Sequence, residues 1–229
     1  MPDAVAGRLT PRSEGPLKLA LPRGALLGET LDVLDSIGVD TAELRSDSRS
    51  LIFHTAGLTV VTMRPSDVPT YVEAGAADVG ITGKDVLAEQ ADRVTYELLD
   101  LGYGTCRMVL AARRGSDRLV EVERRLGTVR VATKYPRVAE RWFEEAGRSA
   151  EVIEVKGSVE LAPLVGLADG IVDLVDTGRT LSENELEIRQ EIFASTARLI
   201  ANRVAHKLRA AEIDDLVGKL RAATAGAGP

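Results

Sequence analysis

The sequence contains few of the residues that build disulfide or metal sites. Its 229 residues include one cysteine and two histidines. A single cysteine excludes an internal disulfide framework and suits a reducing compartment. Two histidines far apart in the chain, with one cysteine, also exclude the usual zinc-ligand spacings. We therefore expect no metal ion held by the protein's own side chains.

Aromatic residues, excess positive charge and long apolar runs are also scarce. The chain has one Trp, four Tyr and three Phe, and its formal net charge is −6 at pH 7. Nucleic acid is an unexpected partner, because its binding relies on basic surface and stacking aromatics. No apolar run approaches the roughly 18–20 residues of a membrane span. We expect a cytoplasmic protein that binds neither membranes nor nucleic acids.

Hydrophobic periodicity predicts alternating strands and helices along most of the chain. Residues 1–16 are rich in Pro and Gly, have little periodicity and are predicted to be a disordered tail. From Leu17 onward, short apolar segments alternate with amphipathic ones, which predicts an α/β fold with mainly parallel sheets. Residues Glu191–Asn202 read as one strand, and a helix is predicted from His206.

The two halves of the chain share a short pattern. Gly75–Asp78 and Gly166–Asp169 both read Gly-x-Ala-Asp, each between a predicted helix and a predicted strand. The general pattern of βα units is an alternative explanation for so short a similarity. We interpret it as two similar lobes with the active site in the cleft between them, where ligands commonly bind. Lobe I then comprises residues 17–104 plus 188–229, and lobe II residues 105–187.

A strand followed by a Thr-Gly-x-Thr turn is the most informative motif. Gly178 allows close backbone approach, successive N–H groups point into the turn, and threonine hydroxyls donate, so the turn suits a phosphate monoester. Acids at the strand end are placed to accept hydrogen bonds from ribose hydroxyls. A turn that only caps a helix is the alternative for this segment alone. The candidate phosphoribosyl-binding residues are Asp173, Asp176, Thr177, Gly178, Arg179 and Thr180.

Four basic residues near predicted strand ends form a second candidate group. Arg23 follows the first strand, at the carboxyl edge where α/β sheets bind ligands. Arg49 and Arg64 flank a predicted hairpin, and Lys84 follows the fourth strand. Taken singly, each also fits a solvated surface charge. Together they suit a cleft for a polyanion within an otherwise acidic protein.

Long segments resemble the ATP phosphoribosyltransferase family, over Leu17 to about Leu220. The matching segments are Arg64–Glu73, Gly75–Asp85, Leu98–Gly102, Val131–Pro136, Gly157–Pro163 and Gly166–Leu181. The resemblance implies two α/β lobes like those of type II periplasmic binding proteins. It also implies a reaction in which N1 of ATP attacks C1 of phosphoribosyl pyrophosphate. Pyrophosphate leaves and phosphoribosyl-ATP forms, as the first step of histidine biosynthesis.

The resemblance also implies roles for the candidate residues. The segment Asp173–Thr180 would hold the ribose 5-phosphate, and Arg49 would meet pyrophosphate or the ATP phosphates. Arg23 would replace the family's usual lysine. We expect Arg23 and Arg49 to act in catalysis and, with Arg64 and Lys84, in ATP binding. The family commonly has an arginine where this chain has Ala25, so that arginine's role is unassigned.

Magnesium and protein partners are further implications of the resemblance. Mg²⁺ would be held mainly by substrate oxygens. The length resembles that of the family's short form, which implies a homo-oligomer of catalytic chains. It also implies a hetero-octamer with a regulatory subunit that resembles histidyl-tRNA synthetase.

Two other functions stay open at the level of sequence. A nucleobase phosphoribosyltransferase of a different fold would use the same turn, but the repeated Gly-x-Ala-Asp pattern argues against it. A non-catalytic two-lobed small-molecule binding protein is favoured only by Ala25.

Overall fold

A computed structural model of the chain describes residues 15–46, 49–55, 57–116 and 118–225. These residues divide into two units. Lobe I comprises the described residues up to Gly104 and from Thr196 onward, and lobe II spans Thr105–Ser195. Most of the predicted disordered tail, residues 1–14, lies outside the described residues. Among the helices of the described part, none is long and apolar enough to cross a membrane.

Lobe I is a mixed sheet with helices packed against it. Its elements are β1 (Leu17–Pro22), α1 (Leu27–Ser36), α2 (Ala42–Arg45), β2 (Ile52–Thr55), β3 (Leu58–Met63), a 3₁₀ turn (Pro65–Asp67), α3 (Val68–Glu73), β4 (Val79–Gly83), α4 (Lys84–Glu89), β5 (Thr95–Asp100), β11 (Ala197–Asn202), α9 (Arg203–Leu208) and α10 (Ala210–Thr224). The strand order is β2-β3-β1-β4-β11-β5. All five residues of β4 are buried, as expected for a central strand covered on both faces.

Lobe II is a smaller mixed sheet. Its elements are β6 (Cys106–Arg113), α5 (Arg118–Leu126), β7 (Thr128–Thr133), α6 (Pro136–Glu145), β8 (Ser149–Glu154), α7 (Leu161–Leu164), β9 (Gly170–Val175), α8 (Arg179–Glu183) and β10 (Leu186–Ser195). The strand order is β10-β6-β9-β7-β8. Val109, Val131 and Ile171 on the three inner strands are fully buried.

The two-lobed α/β architecture is confirmed, but the sheets are mixed rather than mainly parallel. Strands β3, β1 and β4 pair in parallel, as do β8, β7 and β9. Strand β11 runs antiparallel to β4, and β6 runs antiparallel to β9. Each of these is the first strand after the chain enters its lobe. In neither pair, β11 with β4 or β6 with β9, are the two strands linked directly by a helical crossover. Such a crossover is the connection that joins parallel neighbours, so antiparallel pairing is open to both strands.

The two sheets repeat one arrangement, which agrees with the pattern read from the sequence. The order β3-β1-β4-β11-β5 in lobe I corresponds to β8-β7-β9-β6-β10 in lobe II. Gly75 and Gly166 end helices α3 and α7 with φ of 74° and 77°. After Gly75 the next two N–H groups both donate to the Tyr71 carbonyl, and after Gly166 both donate to the Ala162 carbonyl. This left-handed helix ending favours glycine at both positions.

Two sequence-based boundaries differ from the structure. The predicted lobe boundary at residue 188 falls inside β10, which pairs with β6 of lobe II from Leu186 to Ser195. The segment Glu191–Asn202 is therefore not one strand. Thr196 separates β10 from β11, and only β11 belongs to the sheet of lobe I.

The C-terminal helical region packs on its own lobe. Instead of one helix from His206, α9 and α10 are separated at Arg209. Ile213, Leu216 and Leu220 of α10 lie in the hydrophobic core of lobe I with residues of β1 and α1. The apolar residues of α10 are thus buried within lobe I.

Candidate functional site

The four basic candidates of lobe I lie along one edge of its sheet. Arg64, Arg23 and Lys84 directly follow the carboxyl ends of the adjacent strands β3, β1 and β4. Arg49 precedes β2, which is antiparallel to β3, so the start of β2 is at the same edge. We call Arg23, Arg49, Arg64 and Lys84 the cationic edge.

Arg23 is held in place by three hydrogen bonds. Its N–H donates to the Met63 carbonyl at 2.7 Å. Its Nε donates to Thr62 Oγ1 at 3.0 Å and its Nη2 to the Ser50 carbonyl at 2.8 Å. A guanidinium has five N–H donors, so these side-chain bonds orient it and leave donors for an anion. Exposed Arg23 therefore has the geometry of a fixed phosphate ligand.

Lys84 begins α4 and forms an ion pair within lobe I. Its Nζ lies 2.7 Å from Glu97 Oε2 on β5, with both side chains about one-third exposed. The same carboxylate lies 3.4 Å from Arg198 Nη1. An incoming phosphate would therefore compete with Glu97 for the Lys84 ammonium group.

The phosphoribosyl candidates of lobe II lie at the carboxyl end of β9. Asp173 is inside the strand and pairs with Val109, whereas Asp176 follows the strand. Asp176–Thr180, which we call the phosphate turn, leads into α8. Gly178 has φ 78° and ψ 3°, a left-handed conformation that few other residues adopt.

The phosphate turn contains the N-terminus of α8. The first helical bond of α8 runs from the Ser182 N–H to the Gly178 carbonyl at 3.0 Å. The preceding N–H groups have no partner within the helix. Thr177 and Thr180 are exposed, so their hydroxyls are accessible to a ligand. The Arg179 guanidinium instead pairs with Glu183 at 2.7 Å, and the Arg179 N–H donates to Thr177 Oγ1 at 3.4 Å.

Asp173 is electrostatically unusual. Burial raises the pKa of its carboxyl group, while the nearby Lys134 ammonium lowers it and Glu160 raises it further. Oδ1 accepts a hydrogen bond from the Leu174 N–H at 2.9 Å. A half-buried carboxylate in this position is a strong acceptor for hydroxyl groups.

The structure thus brings the sequence candidates together in two groups, one in each lobe. It adds Lys134, which the sequence reasoning missed although Lys134 directly follows β7. The criterion that selected Arg23, Arg64 and Lys84 would also have found it. Within the described ranges, no cluster of three or more His, Cys, Asp or Glu residues is arranged to hold a metal ion.

The fold of these lobes is that of two-lobed binding proteins. One solved structure with this fold is the periplasmic aliphatic sulphonate binding protein SsuA from Escherichia coli, with a TM-score of 0.58. Its sequence identity is 14%, over 93% of this chain and 73% of that one, so this likeness concerns the fold alone.

Closer matches identify the family. The ATP phosphoribosyltransferase (HisG) family model matches residues 64–222. The ATP phosphoribosyltransferase of Rubrobacter xylanophilus is 55% identical over 207 residues, covering 89% of this chain and 94% of that protein. The ATP phosphoribosyl transferase (HisG:HisZ) complex from Thermotoga maritima has a chain with a TM-score of 0.77 and 36% identity. It covers 92% of this chain and 99% of that one. This chain belongs to the ATP phosphoribosyltransferase family, whose members are pentosyltransferases that act in the first step of histidine biosynthesis. The alternative of a non-catalytic binding protein is not favoured.

Proposed function

We propose that the chain's two groups of residues divide the substrates of this reaction between them. The phosphate turn binds the ribose 5-phosphate of phosphoribosyl pyrophosphate, and the cationic edge binds phosphates of ATP and the departing pyrophosphate. The observation that carries the proposal is Gly178, whose left-handed conformation presents first-turn N–H groups beside two threonine hydroxyls. Such groups match the oxygens of a phosphate monoester.

The reaction needs positioning and charge stabilisation more than a protein nucleophile. N1 of ATP donates its electron pair to C1 of the ribose as the bond from C1 to the pyrophosphate oxygen breaks. The electron pair of the broken C1–O bond leaves with pyrophosphate, while the pair from N1 forms the new N1–C1 bond. Arg23, oriented by Thr62 and Ser50, and the exposed Arg49 supply positive charge for the developing negative charge. Asp173 accepts hydrogen bonds from the ribose hydroxyls, and Lys134 beside it favours the ionised carboxylate.

Magnesium fits this arrangement as an ion carried by the substrate. Asp173 and Asp176 offer the hard oxygen atoms that Mg²⁺ or its bound water prefers, beside the phosphate turn. When bound, Mg²⁺ neutralises phosphate charge and so makes pyrophosphate a better leaving group. The protein residues then bind and orient the phosphates and the ribose.

A regulatory partner is part of the proposal. The Thermotoga maritima structure is of a HisG:HisZ complex, and its chain matches 92% of the present one. We therefore propose that this chain also works with a separate regulatory subunit that resembles histidyl-tRNA synthetase. The expected assembly is a hetero-octamer built on a homo-oligomer of catalytic chains.

An absorbance assay for phosphoribosyl-ATP tests the reaction directly. The purified chain is given ATP, phosphoribosyl pyrophosphate and Mg²⁺, with and without a HisZ-type partner. We expect product in both conditions and faster turnover with the partner. Absence of product in both conditions would contradict the proposed activity.

Thr177→Ala tests the assignment of the phosphate turn. Loss of one hydroxyl donor to a charged phosphate should raise the apparent KM for phosphoribosyl pyrophosphate about 10-fold, with a smaller change in the KM for ATP. Thr224→Ala on α10 is the matched control, since its hydroxyl bonds only to carbonyls of its own helix. An unchanged KM in Thr177→Ala would remove Thr177 from the phosphate site.

A further inference from the structure

Tyr103 and Thr30 form a chain of hydrogen bonds behind the loop that follows β1. The Tyr103 hydroxyl oxygen lies 2.9 Å from Thr30 Oγ1, which lies 2.6 Å from the carbonyl oxygen of Leu26. Thr30 has one hydroxyl proton and donates it to Leu26. Tyr103 must therefore donate to Thr30. The direction of the chain is fixed from Tyr103 through Thr30 to Leu26.

These hydrogen bonds lie partly out of reach of water, since Tyr103 is half-buried. Thr30 is fully buried, and burial raises the pKa of Tyr103 to about 12. The phenol thus stays protonated, and able to donate, throughout the range in which an enzyme is assayed. A buried hydroxyl without its partner costs about 1–3 kcal/mol, so these bonds resist displacement of the loop.

Tyr103 lies in the segment Leu101–Gly104, at the end of the first part of lobe I. Its carbonyl accepts the Ala197 N–H at 2.9 Å, and the Leu101 N–H donates to the Ala197 carbonyl at 2.9 Å. β11 therefore anchors this segment. At Gly104 a Cβ atom would overlap the Leu26 side chain, so segment and loop pack closely.

The loop held in this way joins a site residue to α1. Arg23 is the first residue after β1, and Leu26 is the last residue before α1. The Leu27 N–H donates to the Gly24 carbonyl at 3.1 Å, which closes a tight turn between them. The carbonyl that receives the Thr30 hydroxyl is thus at the far end of the turn that begins at Arg23.

We propose that Tyr103 is a positioning residue for ATP binding, which acts through Thr30 and Leu26 to hold the loop that carries Arg23. The proposal rests on the proposed function, because that function assigns the cationic edge to ATP. Tyr103 itself contacts no substrate in this role. Its hydroxyl, rather than its ring, is the essential group.

The test is a set of conservative variants in the phosphoribosyl-ATP assay. Tyr103→Phe and Thr30→Val each remove one hydroxyl and keep the size of the side chain. We expect each to raise the KM for ATP about 3–10-fold, the equivalent of one hydrogen bond, and to lower kcat by a similar or smaller factor, because Arg23 also meets the departing pyrophosphate. The KM for phosphoribosyl pyrophosphate should change less than 2-fold. Thr30→Ser, which keeps the hydroxyl group, should have the wild-type KM for ATP. The double variant should raise the KM for ATP little more than either single variant does, because the two hydroxyls act in one series of hydrogen bonds.

A matched control separates positioning from stability. Thr41 is another buried threonine of lobe I, and its hydroxyl donates to Asp35 at 2.6 Å. Thr41→Val should lower Tm while the KM for ATP stays at the wild-type value. An unchanged KM in Tyr103→Phe, or an equal increase in Thr41→Val, would overturn the positioning role.

Amide hydrogen exchange gives a readout that needs no activity. In the ligand-free protein, Tyr103→Phe should accelerate exchange within residues 23–30, and equal exchange in the two proteins would overturn the proposal. If the wild type made no phosphoribosyl-ATP but Tyr103→Phe still accelerated exchange, the result would contradict the proposed function and not the anchoring of the loop.

Discussion

In both lobes, the third strand of the parallel set begins beside a buried aspartate. Asp78 precedes β4 and accepts the Lys18 N–H at 2.8 Å, while its own N–H donates to the Lys18 carbonyl. Asp169 precedes β9 and accepts the Arg130 N–H at 2.9 Å, with the same return bond to the Arg130 carbonyl. Each aspartate thus ties its strand to the start of the strand beside it. The Gly-x-Ala-Asp pattern therefore marks the point where each of these strands is fixed to the neighbouring strand by hydrogen bonds.

The opposite ends of the same strands differ in chemistry. The end of β4 leads into Lys84, part of the cationic edge. The last residues of β9 include Asp173, and the strand leads into the phosphate turn with Asp176 and Gly178. The same strand arrangement thus carries cations in lobe I and carboxylates with backbone donors in lobe II. The repeated pattern thus predicts the fold of each lobe, whereas the functional residues are specific to one lobe.

The charged partners of the two aspartates also differ. Asp78 Oδ2 lies 3.3 Å from Nη1 of Arg209, whose side chain is only 3% exposed. Asp169 Oδ1 lies 3.1 Å from Nε of Arg118 and 3.7 Å from Nη2 of Arg130, with side chains 57% and 39% exposed. Water can replace Asp169 at its arginines much more easily than it can replace Asp78 at Arg209.

Replacing each buried aspartate should give the largest difference in stability between the two lobes. Asp78→Ala leaves Arg209 with Glu212 as its charged partner and removes the acceptor of the Lys18 N–H, so we expect the free energy of unfolding to fall by about 2–4 kcal/mol. Asp169→Ala should cost about 1–3 kcal/mol, because solvent reaches its arginines. Urea unfolding at pH 7 measures both values. Equal losses, or a larger loss for Asp169→Ala, would contradict the difference in burial.

Asp173→Asn should separate function from stability in lobe II. Loss of a charged acceptor for ribose hydroxyls should lower kcat/KM about 10–100-fold. In the ligand-free protein the same change should raise Tm at pH 7. Because burial raises the pKa of Asp173, the folded state binds its proton more tightly than the unfolded state. The stability that this carboxyl group contributes is present below its ordinary pKa of 3.8 and is lost as the pH rises through the folded pKa.

The Tm gain of Asp173→Asn should therefore disappear as the pH falls toward 3.8. Glu151→Gln on β8 is the matched control, since it removes an exposed carboxyl group from the same lobe. We expect Glu151→Gln to leave both Tm and kcat/KM near wild type. A lower Tm for Asp173→Asn at pH 7 would show that its charge stabilises the fold.

The sequence predicts the features that depend on local pattern. The two-lobed α/β class follows from alternating strands and helices, and Gly178 and the strand-end arginines follow from short motifs. The direction of β6 and β11 could not be predicted, since it depends on partners far away in sequence. Hydrophobic periodicity does not predict the edge strand β5, because its residues are half-buried or exposed and lack strong hydrophobic alternation.

Burial of polar side chains was also beyond prediction. The sequence indicates a surface position for Arg209 on a helix. Its buried side chain instead pairs with Asp78, and Arg209 lies between α9 and α10. The link from Tyr103 to Thr30 joins residues that are far apart in sequence. Both depend on packing between elements, which leaves no local pattern.

Glu97→Gln should give the smallest effect, and it tests whether Glu97 competes with phosphate for Lys84 in the cationic edge. Glu97 holds Lys84 at 2.7 Å, and an ion pair this exposed is worth about 0–1 kcal/mol. Without the negative charge, Lys84 no longer exchanges one anionic partner for another when ATP binds. We therefore expect the KM for ATP to fall about 2–4-fold, with no change in the KM for phosphoribosyl pyrophosphate. Glu191→Gln, which removes the partner of Arg107 in lobe II, is the matched control and should leave both KM values unchanged. A rise in the KM for ATP would mean that Glu97 orients Lys84 toward its phosphate rather than competing for it.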